Sequence, residues 1–380
     1  MPPTPQPAPT DAGALSQWSL IRLRFAKHKL AMAALFTLGV LYGMAILAEF
    51  VAPYAPNEHH LDFIYAPPQV PSWSPSRGWH AATFLQQTDP ITLKTYYLKD
   101  PDSYVPLRFF APAPEDNRLF GTLPLPVVFF GVDPDRLVEA GHDPDAATAS
   151  FFFLGSDKFG RDLFSRIIHG GRISLSIGLV SIAVTFVLGV LIGGISGYAS
   201  GRVDTVIQRG IEIITAFPQL PLWLALAAIM PGEWSSLQVY FAITIVLSLL
   251  NWVGLARVVR GKILSLREED YALAARLLGA GHGRVLFRHL VPGFTSHMIV
   301  VLTLSVPVMI LGETALSFLG LGLRPPIISW GVLLQDCMQL QVVANYPWIL
   351  TPVILILVTV LAFNFLGDGL RDAADPYGRR

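Results

Sequence analysis

Six long apolar runs, almost free of charge, constrain this chain more than any other feature. Leu30–Ala48, Ile173–Gly201, Ile213–Gly232 and Ser235–Ala256 contain no Asp, Glu, Lys or Arg. Leu290–Gly312 adds only His297, and Cys337–Gly367 is again uncharged and long enough for a loop before its helix. A bilayer core is about 30 Å thick, which about 20 helical residues cross. Buried helices of soluble proteins keep a charged edge over such lengths. The runs therefore predict an all-α polytopic membrane protein with six transmembrane helices. Composition agrees: 14% of residues are charged, against about 25% in soluble domains. The 27 basic and 27 acidic residues cancel, so no global field points to nucleic acid. One cysteine, Cys337, excludes an intrachain disulfide and a zinc site of the usual Cys count.

Arg22, Arg24, Lys27 and Lys29 precede the first run. That run is too long for a signal-peptide core, so a retained first helix over 30–51 is expected. Residues 1–29 read as a cytoplasmic tail, disordered over the Pro/Thr/Ala-rich Met1–Gly13. Lys and Arg in short loops mark the cytoplasmic side. They place Arg202–Arg209, Arg257–Arg288 and the tail 368–380, with Arg371, Arg379 and Arg380, beside the N-terminus. The opposing loops Pro231–Trp234 and Leu321–Trp330 carry only Glu233 and Arg324. Residues 52–172 then lie outside, despite Lys158, Arg161, Arg166 and Arg172, because long translocated segments obey the bias poorly. Rich in Pro, Asp and aromatics such as Trp73, Trp79, Phe109 and Phe110, the segment shows little periodicity. It reads as an extracytoplasmic insertion of irregular or short β structure ending in an interfacial helix. The transmembrane domain follows over 173–367, with a cytoplasmic loop at 257–292.

Pro218, Pro221, Pro307 and Pro352 fall inside the runs. Neighbouring membrane helices can re-satisfy the carbonyls that proline frees. Kinked helices suit a transport path and ordinary bundle packing equally. Gly189, Gly193, Gly194 and Gly197 permit close helix approach in the second span. Glu212, Glu313 and His297 are the few ionisable groups in or near spans, and they form no chain of the kind a proton relay needs.

The loop 257–292 is too long for a turn and too polar for lipid. Ser265-Leu266-Arg267-Glu268 reads as a capping box, with Asp270 as an alternative cap. Tyr271, Ala274, Ala275 and Leu278 share one helical face, and Gly279 supplies the stop. A second amphipathic helix is expected over Arg284–Leu290, with Pro292 where the next span begins. An alanine-lined face of this kind can dock in a groove on another protein or lie on the anionic inner leaflet. Before the second span, Asp157 can cap a short helix and Gly160 permits a tight turn. Arg161 and Asp162 can pair or brace the loop, and Leu163, Phe164, Ile167 and Ile168 give an apolar side for the outer interface.

Asp270-Tyr271-Ala272-Leu273-Ala274-Ala275-Arg276-Leu277-Leu278-Gly279, followed by Arg288-His289-Leu290-Val291-Pro292, resembles the cytoplasmic loop of ABC importer permeases. Leu273 stands where the generic motif has Glu, as in the dipeptide/oligopeptide/nickel branch. Leu154-Gly155-Ser156-Asp157-Lys158-Phe159-Gly160-Arg161-Asp162-Leu163-Phe164-Ser165-Arg166 resembles that branch's signature before the second span. Gly312-Glu313-Thr314-Ala315-Leu316-Ser317-Phe318-Leu319-Gly320 and the tail Gly367–Pro376 match as well, and all of these matches fall in the family's order.

The resemblance implies the C-type subunit of a type I importer permease pair, in the bacterial inner membrane. It carries coupling to an ATPase onto Asp270, Tyr271, Ala274, Ala275, Arg276, Gly279 and Pro292. It carries the motif before the second span onto Gly155, Asp157, Gly160, Arg161, Asp162, Ser165 and Arg166. It implies a second permease subunit as heterodimer partner, one or two ATPase subunits and an extracytoplasmic solute-binding protein, all set in membrane lipid. The expected cargo is a di- or oligopeptide or a similar solute, and the long insertion favours larger cargo over nickel. The chain has no Gly-x-x-x-x-Gly-Lys-Ser/Thr loop: Gly261-Lys262 is followed by Ile263. No cofactor is therefore expected on this chain, and ATP and Mg are expected on the partner subunits. The competing readings are a stand-alone secondary transporter, which needs inverted repeats and midplane charges, and a membrane-anchored scaffold.

Overall fold

A computed structural model describes residues 17–91, 95–113, 116–140 and 150–374. The expectations for Met1–Gly13, Asp375, Pro376, Arg379 and Arg380 lie outside the described residues. A basic helix α1 (Gln17–Lys27) leads to α2 (Lys29–Ile46), the first span, and then to a short α3 (Ala48–Val51). His28 caps α2, its Nδ1 accepting from the Ala31 amide at 3.1 Å.

The segment between the first two spans is more ordered than its sequence suggests. β1 (Ser72–Ser74), β2 (Gly78–Thr88), β3 (Thr95–Pro112) and β6 (Val127–Val132) form an antiparallel sheet in the order β1-β2-β3-β6. A hairpin of β4 (Arg118–Leu119) and β5 (Leu123–Pro124) precedes β6, and α4 (Pro134–Glu139) follows it. The expectation of irregular or short strands is corrected, since β2 runs 11 residues and β3 runs 18. A bulge between Ala82 and Phe84 shifts the β2–β3 register, so alternation breaks and the period is hidden.

The second span, α5 (Leu163–Ala199), is 37 residues long, about 55 Å at 1.5 Å per residue. It starts ten residues before the apolar run, so the separate interfacial helix expected before Arg172 is instead its first turns. Gly193 and Gly197 let α8 (Ser236–Leu266) approach: a Cβ on Gly193 would lie 2.4 Å from the Ala256 carbonyl oxygen. Arg202–Arg209 is not a loop but the body of α6 (Gly201–Thr215). The third run is broken rather than straight. α6 and α7 (Gln219–Ala228) meet at 81° because Pro218 is extended where the helix would continue. A true capping box opens α8 at Ser235 and Gln238.

After α8 come α9 (Asp270–Leu277) and α10 (His282–Arg284). The expected amphipathic helix over Arg284–Leu290 is not a separate element. A π turn at Val285–Leu290 and a 3-10 turn at Val291–Phe294 join α10 to α11 (Thr295–Phe318) as one helical run. Pro292 lies inside that run, at the start of its 3-10 turn, where a missing N–H is tolerated. α12 (Trp330–Leu333) and α13 (Leu340–Asn345) lead to α14 (Thr351–Ala374). Pro352 therefore sits in a first helical turn rather than mid-span, whereas Pro307 does lie inside α11.

Among the described residues five helical runs are long and apolar enough to cross a membrane, and the bent pair makes six. Leu38, Leu175, Ile310, Ile356 and Phe363 form one core between α2, α5, α11 and α14. Ile177, Trp223, Leu247 and Met309 form another that takes in α7 and α8. Arg172, near the start of α5, reaches the far end of α2 at Ala45 and Ile46, while His28 and Asp372 meet at 3.6 Å. The sheet thus stands at one end of α5, and the described chain ends gather toward the other. Only the bent pair counted as a single crossing gives the even number this requires.

Candidate functional site

Two sites flank α5. At the sheet end, residues 155–166 form a clasp. Ser156 and Asp162 pair as an isolated antiparallel bridge, and Gly160 turns the chain at φ +70°. Its Hα side faces the His60 carbonyl, where a Cβ would approach to 1.9 Å. The Asp157 carboxylate is nearly filled. Its Oδ1 accepts from the Phe159 and Arg161 amides at 2.8 and 3.0 Å, and its Oδ2 meets Arg161 Nη2 at 2.7 Å and Arg166 Nε at 3.5 Å. Asp157 therefore braces the turn rather than capping a helix, and Arg161 pairs with Asp157 instead of Asp162. The cap of α5 is Asp162, whose Oδ2 accepts from the Ser165 amide at 2.7 Å and its hydroxyl at 2.6 Å.

The clasp reaches three other segments. Arg166 donates to the Pro56 carbonyl at 2.9 Å, Trp348 Nε1 donates to the Ser156 carbonyl at 3.2 Å, and Lys158 pairs with Asp336 at 2.8 Å. Leu163 and Ile167 pack on Ile328 and Leu333, so they are core rather than a lipid-facing side. Full burial pushes the Asp162 carboxyl up to about 6. Its Oδ1 is buried without a hydrogen-bond partner, the natural place for a proton.

At the other end of α5, α9 hangs below α8. No side chain caps it: Ser265 lies in the last turn of α8, and Glu269 occupies the cap position without a side-chain bond. The expected capping box is therefore absent, because α8 continues through it. The C-terminus is as expected. Gly279 at φ +84° closes a Schellman motif, with Gly279 N–H to the Arg276 carbonyl at 2.9 Å and Ala280 N–H to the Ala275 carbonyl at 3.0 Å. Arg276 donates to the Arg267 carbonyl, and Arg267 reaches the Gly197 and Tyr198 carbonyls at 3.3 Å each. The end of α5 thus holds α9 in place.

The faces of α9 divide differently from the sequence expectation. Ala275 is 8% exposed and packs inward with Ala272 against Ile263, Val285 and Leu290. Tyr271 and Ala274 are exposed, and Leu277 and Leu278 stand at 89% and 88% exposure. Asp270 lies in the first turn and is exposed. Pro292 lies in the joining turns beyond α10.

Sequence reasoning missed two features. Glu313, placed near a span end, is fully buried in α11 and accepts from Ser174 Oγ at 3.0 Å and Ser317 Oγ at 2.8 Å; Ser174 Oγ also accepts from the Trp330 amide at 3.1 Å. An ionisable residue within a span was the available signal. The other is a groove of about 440 Å³ at the α6–α7 break, with Thr215, Gln219, Asn251, Arg257 and Ser305 on its walls. Gln219 Nε2 donates to Asn251 Oδ1 at 3.4 Å and Arg257 to Thr215 Oγ1 at 3.2 Å. These residues are scattered in sequence and meet only because the span is bent. Among the described residues no group of three His, Cys, Asp or Glu side chains could hold a metal.

Residues 189–379 match the family model for the binding-protein-dependent transport system inner membrane component. Residues 16–68 match the N-terminal TM domain of oligopeptide transport permease C. The chain is 39% identical over 229 residues to the dipeptide transport system permease protein DppC of Bacillus subtilis, covering 60% of this chain and 69% of that one. It is 39% identical to the oligopeptide transport system permease protein OppC of the same organism, covering 60% and 72%. To the glutathione transport system permease protein GsiD of Pectobacterium atrosepticum it is 40% identical over 244 residues, covering 64% and 76%. The clasp, the suspended α9 and the broken span accordingly sit in a multi-pass membrane protein that belongs to the binding-protein-dependent inner membrane component family, as a permease subunit of an ATP-binding-cassette importer and not a stand-alone carrier.

Proposed function

We propose that this subunit forms half of a path for di- or oligopeptides, and that ATP hydrolysis on separate ATPase subunits drives it through α9. The observation that carries the coupling is the outward face of α9. Leu277 and Leu278 are almost wholly exposed at the tip of a helix that Arg267, Arg276 and Gly279 hold in a fixed pose. Exposed leucines on a rigid support fit a groove on a partner protein. The pose ties α9 to the ends of α5 and α8, so a tilt imposed there reaches two spans. Tyr271, Ala274 and Gly279 lie on or beside this face, while Ala275 and Arg276 position it.

ATP and Mg belong on the partner subunits in this reading, since the chain lacks a phosphate-binding loop. The α9 end is cytoplasmic, consistent with the arginines around it, and the sheet end is extracytoplasmic, where a solute-binding protein delivers cargo. The second permease subunit completes the path opposite the polar groove. Gln219, Asn251 and Arg257 are costly against lipid, which favours a wall facing the path or the partner. Peptide cargo is supported by the dipeptide and oligopeptide relatives and by carboxamides suited to peptide backbones.

The test is uptake by the full importer reconstituted in proteoliposomes. Leu277→Asp with Leu278→Asp is expected to abolish uptake and binding-protein-stimulated ATPase activity while the chain still inserts. Normal uptake in that variant overturns the coupling role. Failure of peptides to compete for uptake overturns the cargo.

A further inference from the structure

The sheet carries an aromatic patch that stays half-exposed among the described residues. Trp79, Phe109, Phe110 and Phe129 are 40%, 46%, 58% and 43% exposed. Their rings form one patch: Trp79 meets Phe109 at 5.9 Å between centroids, Phe109 meets Phe129 at 5.7 Å, and Phe110 meets Phe129 at 6.1 Å. The patch is continuous with the first span. Phe50 in α3, one turn beyond the end of α2, touches Phe129 at 6.0 Å and Phe110 at 6.3 Å.

The hairpin fixes the height of this face. Asn117 Nδ2 donates to the Glu49 carbonyl at 3.0 Å, and the Phe120 amide donates to Glu49 Oε1 at 3.3 Å. Arg172 ties the same level to the last turn of α2, donating to the Ala45 and Ile46 carbonyls at 3.0 Å each and pairing with Glu49 at 2.6 Å. Its guanidinium lies 4.3 Å over the Phe120 ring. Phe120 and Leu123, 55% and 62% exposed, therefore stand level with the end of a membrane helix whose outer side presents Leu35, Phe36 and Ile46. Phe110 is held outward at φ +54°, a left-handed backbone unfavourable for an aromatic residue.

We propose that this face lies in the headgroup and upper acyl region of the bilayer beside the first span, making the sheet an interfacial platform anchored on lipid. Aromatic side chains prefer that layer because one end of the site is apolar and the other wet. Lipid is favoured over a protein partner because the patch continues, through Phe50, the exposed apolar side that Leu35, Phe36 and Ile46 form on a membrane-spanning helix. The proposal stands apart from the cargo and the coupling, so uptake by the same samples reports on those separately.

The test uses the full chain with Cys337→Ser, spin-labelled at Phe129→Cys, Phe120→Cys, Leu123→Cys or Leu98→Cys, in phosphatidylcholine/phosphatidylglycerol nanodiscs. Leu98, 53% exposed toward the far end of β3, serves as the aqueous control. Labels at 120, 123 and 129 are expected to relax with oxygen several-fold more than with a water-soluble nickel chelate, and the label at 98 the reverse. Labels at the aromatic face that behave like the one at 98 overturn the proposal. Labels shielded from both reagents in the assembled importer also overturn it, since a protein then covers the face. Leu123, at the hairpin tip, keeps the test decisive if an aromatic replacement fails to fold.

Discussion

The two polar segments that flank α5 are built on opposite plans. The clasp at 155–166 is complete within this chain. Asp157, Asp162 Oδ2 and Arg166 find partners from its own fold, and the His60 carbonyl closes against Gly160. α9 is complete on one side only. Its inner alanines pack on α8 and the joining turns, and its outer leucines have no cover among the described residues. One segment closes the bundle, and the other leaves it open to a partner. Both carry the densest motifs in the chain, so motif density alone did not distinguish architecture from contact.

The strongest way to break this contrast is at Gly160. Gly160→Val puts a branched side chain at φ +70° against the His60 carbonyl, adding a steric clash to a left-handed strain of about 1–2 kcal/mol. Loss of monodisperse, folded chain in detergent is expected. A melting midpoint equal to wild type would mean the clasp is not structural. Next is the Leu277→Asp, Leu278→Asp pair, which should leave that midpoint within about a degree or two while abolishing uptake, because both side chains stand almost wholly exposed among the described residues. A large drop in midpoint would show that the leucines serve the fold after all.

Gly279 separates the plans more finely. A Cβ there meets open space, so only the left-handed φ of +84° is strained, at about 1–2 kcal/mol. Gly279→Leu is expected to lower stability modestly and uptake by an order of magnitude or more, since it shifts the exit of α9. Uptake and ATPase stimulation at wild-type levels would remove Gly279 from the coupling.

The smallest effect is a pH dependence. Burial raises the folded pKa of Asp162 to about 6, above the ordinary aspartate value of 3.8. The protonated form is therefore favoured in the folded state. Its stabilising contribution is full below about 3.8 and is lost as pH rises through about 6. The melting midpoint should fall slightly between about pH 4 and 6, and Asp162→Asn should flatten that slope while keeping the cap. A slope unchanged by the substitution would place the titration elsewhere.

Charge-free length alone was enough to place the crossings near 30–48, 173–201, 235–256 and 290–312, because the free energy of moving a helix into hydrocarbon sums over its own residues and needs no neighbour. The stop at Gly279 was equally local, since a left-handed residue at a helix end is a property of that residue. Other features depended on groups distant in sequence. Pro218 could mark a kink or a full break, and only packing of α7 against α8 and α11 turned it into an 81° bend with a polar groove. The bulge in β2 hid a sheet whose strands pair across tens of residues. Ala275 and Leu277 are two residues apart on one short helix, yet one is core and the other is surface. The periodic pattern allows either rotation of such a helix, and the anchoring of Arg267 and Arg276 on the ends of α5 and α8 selects the one observed.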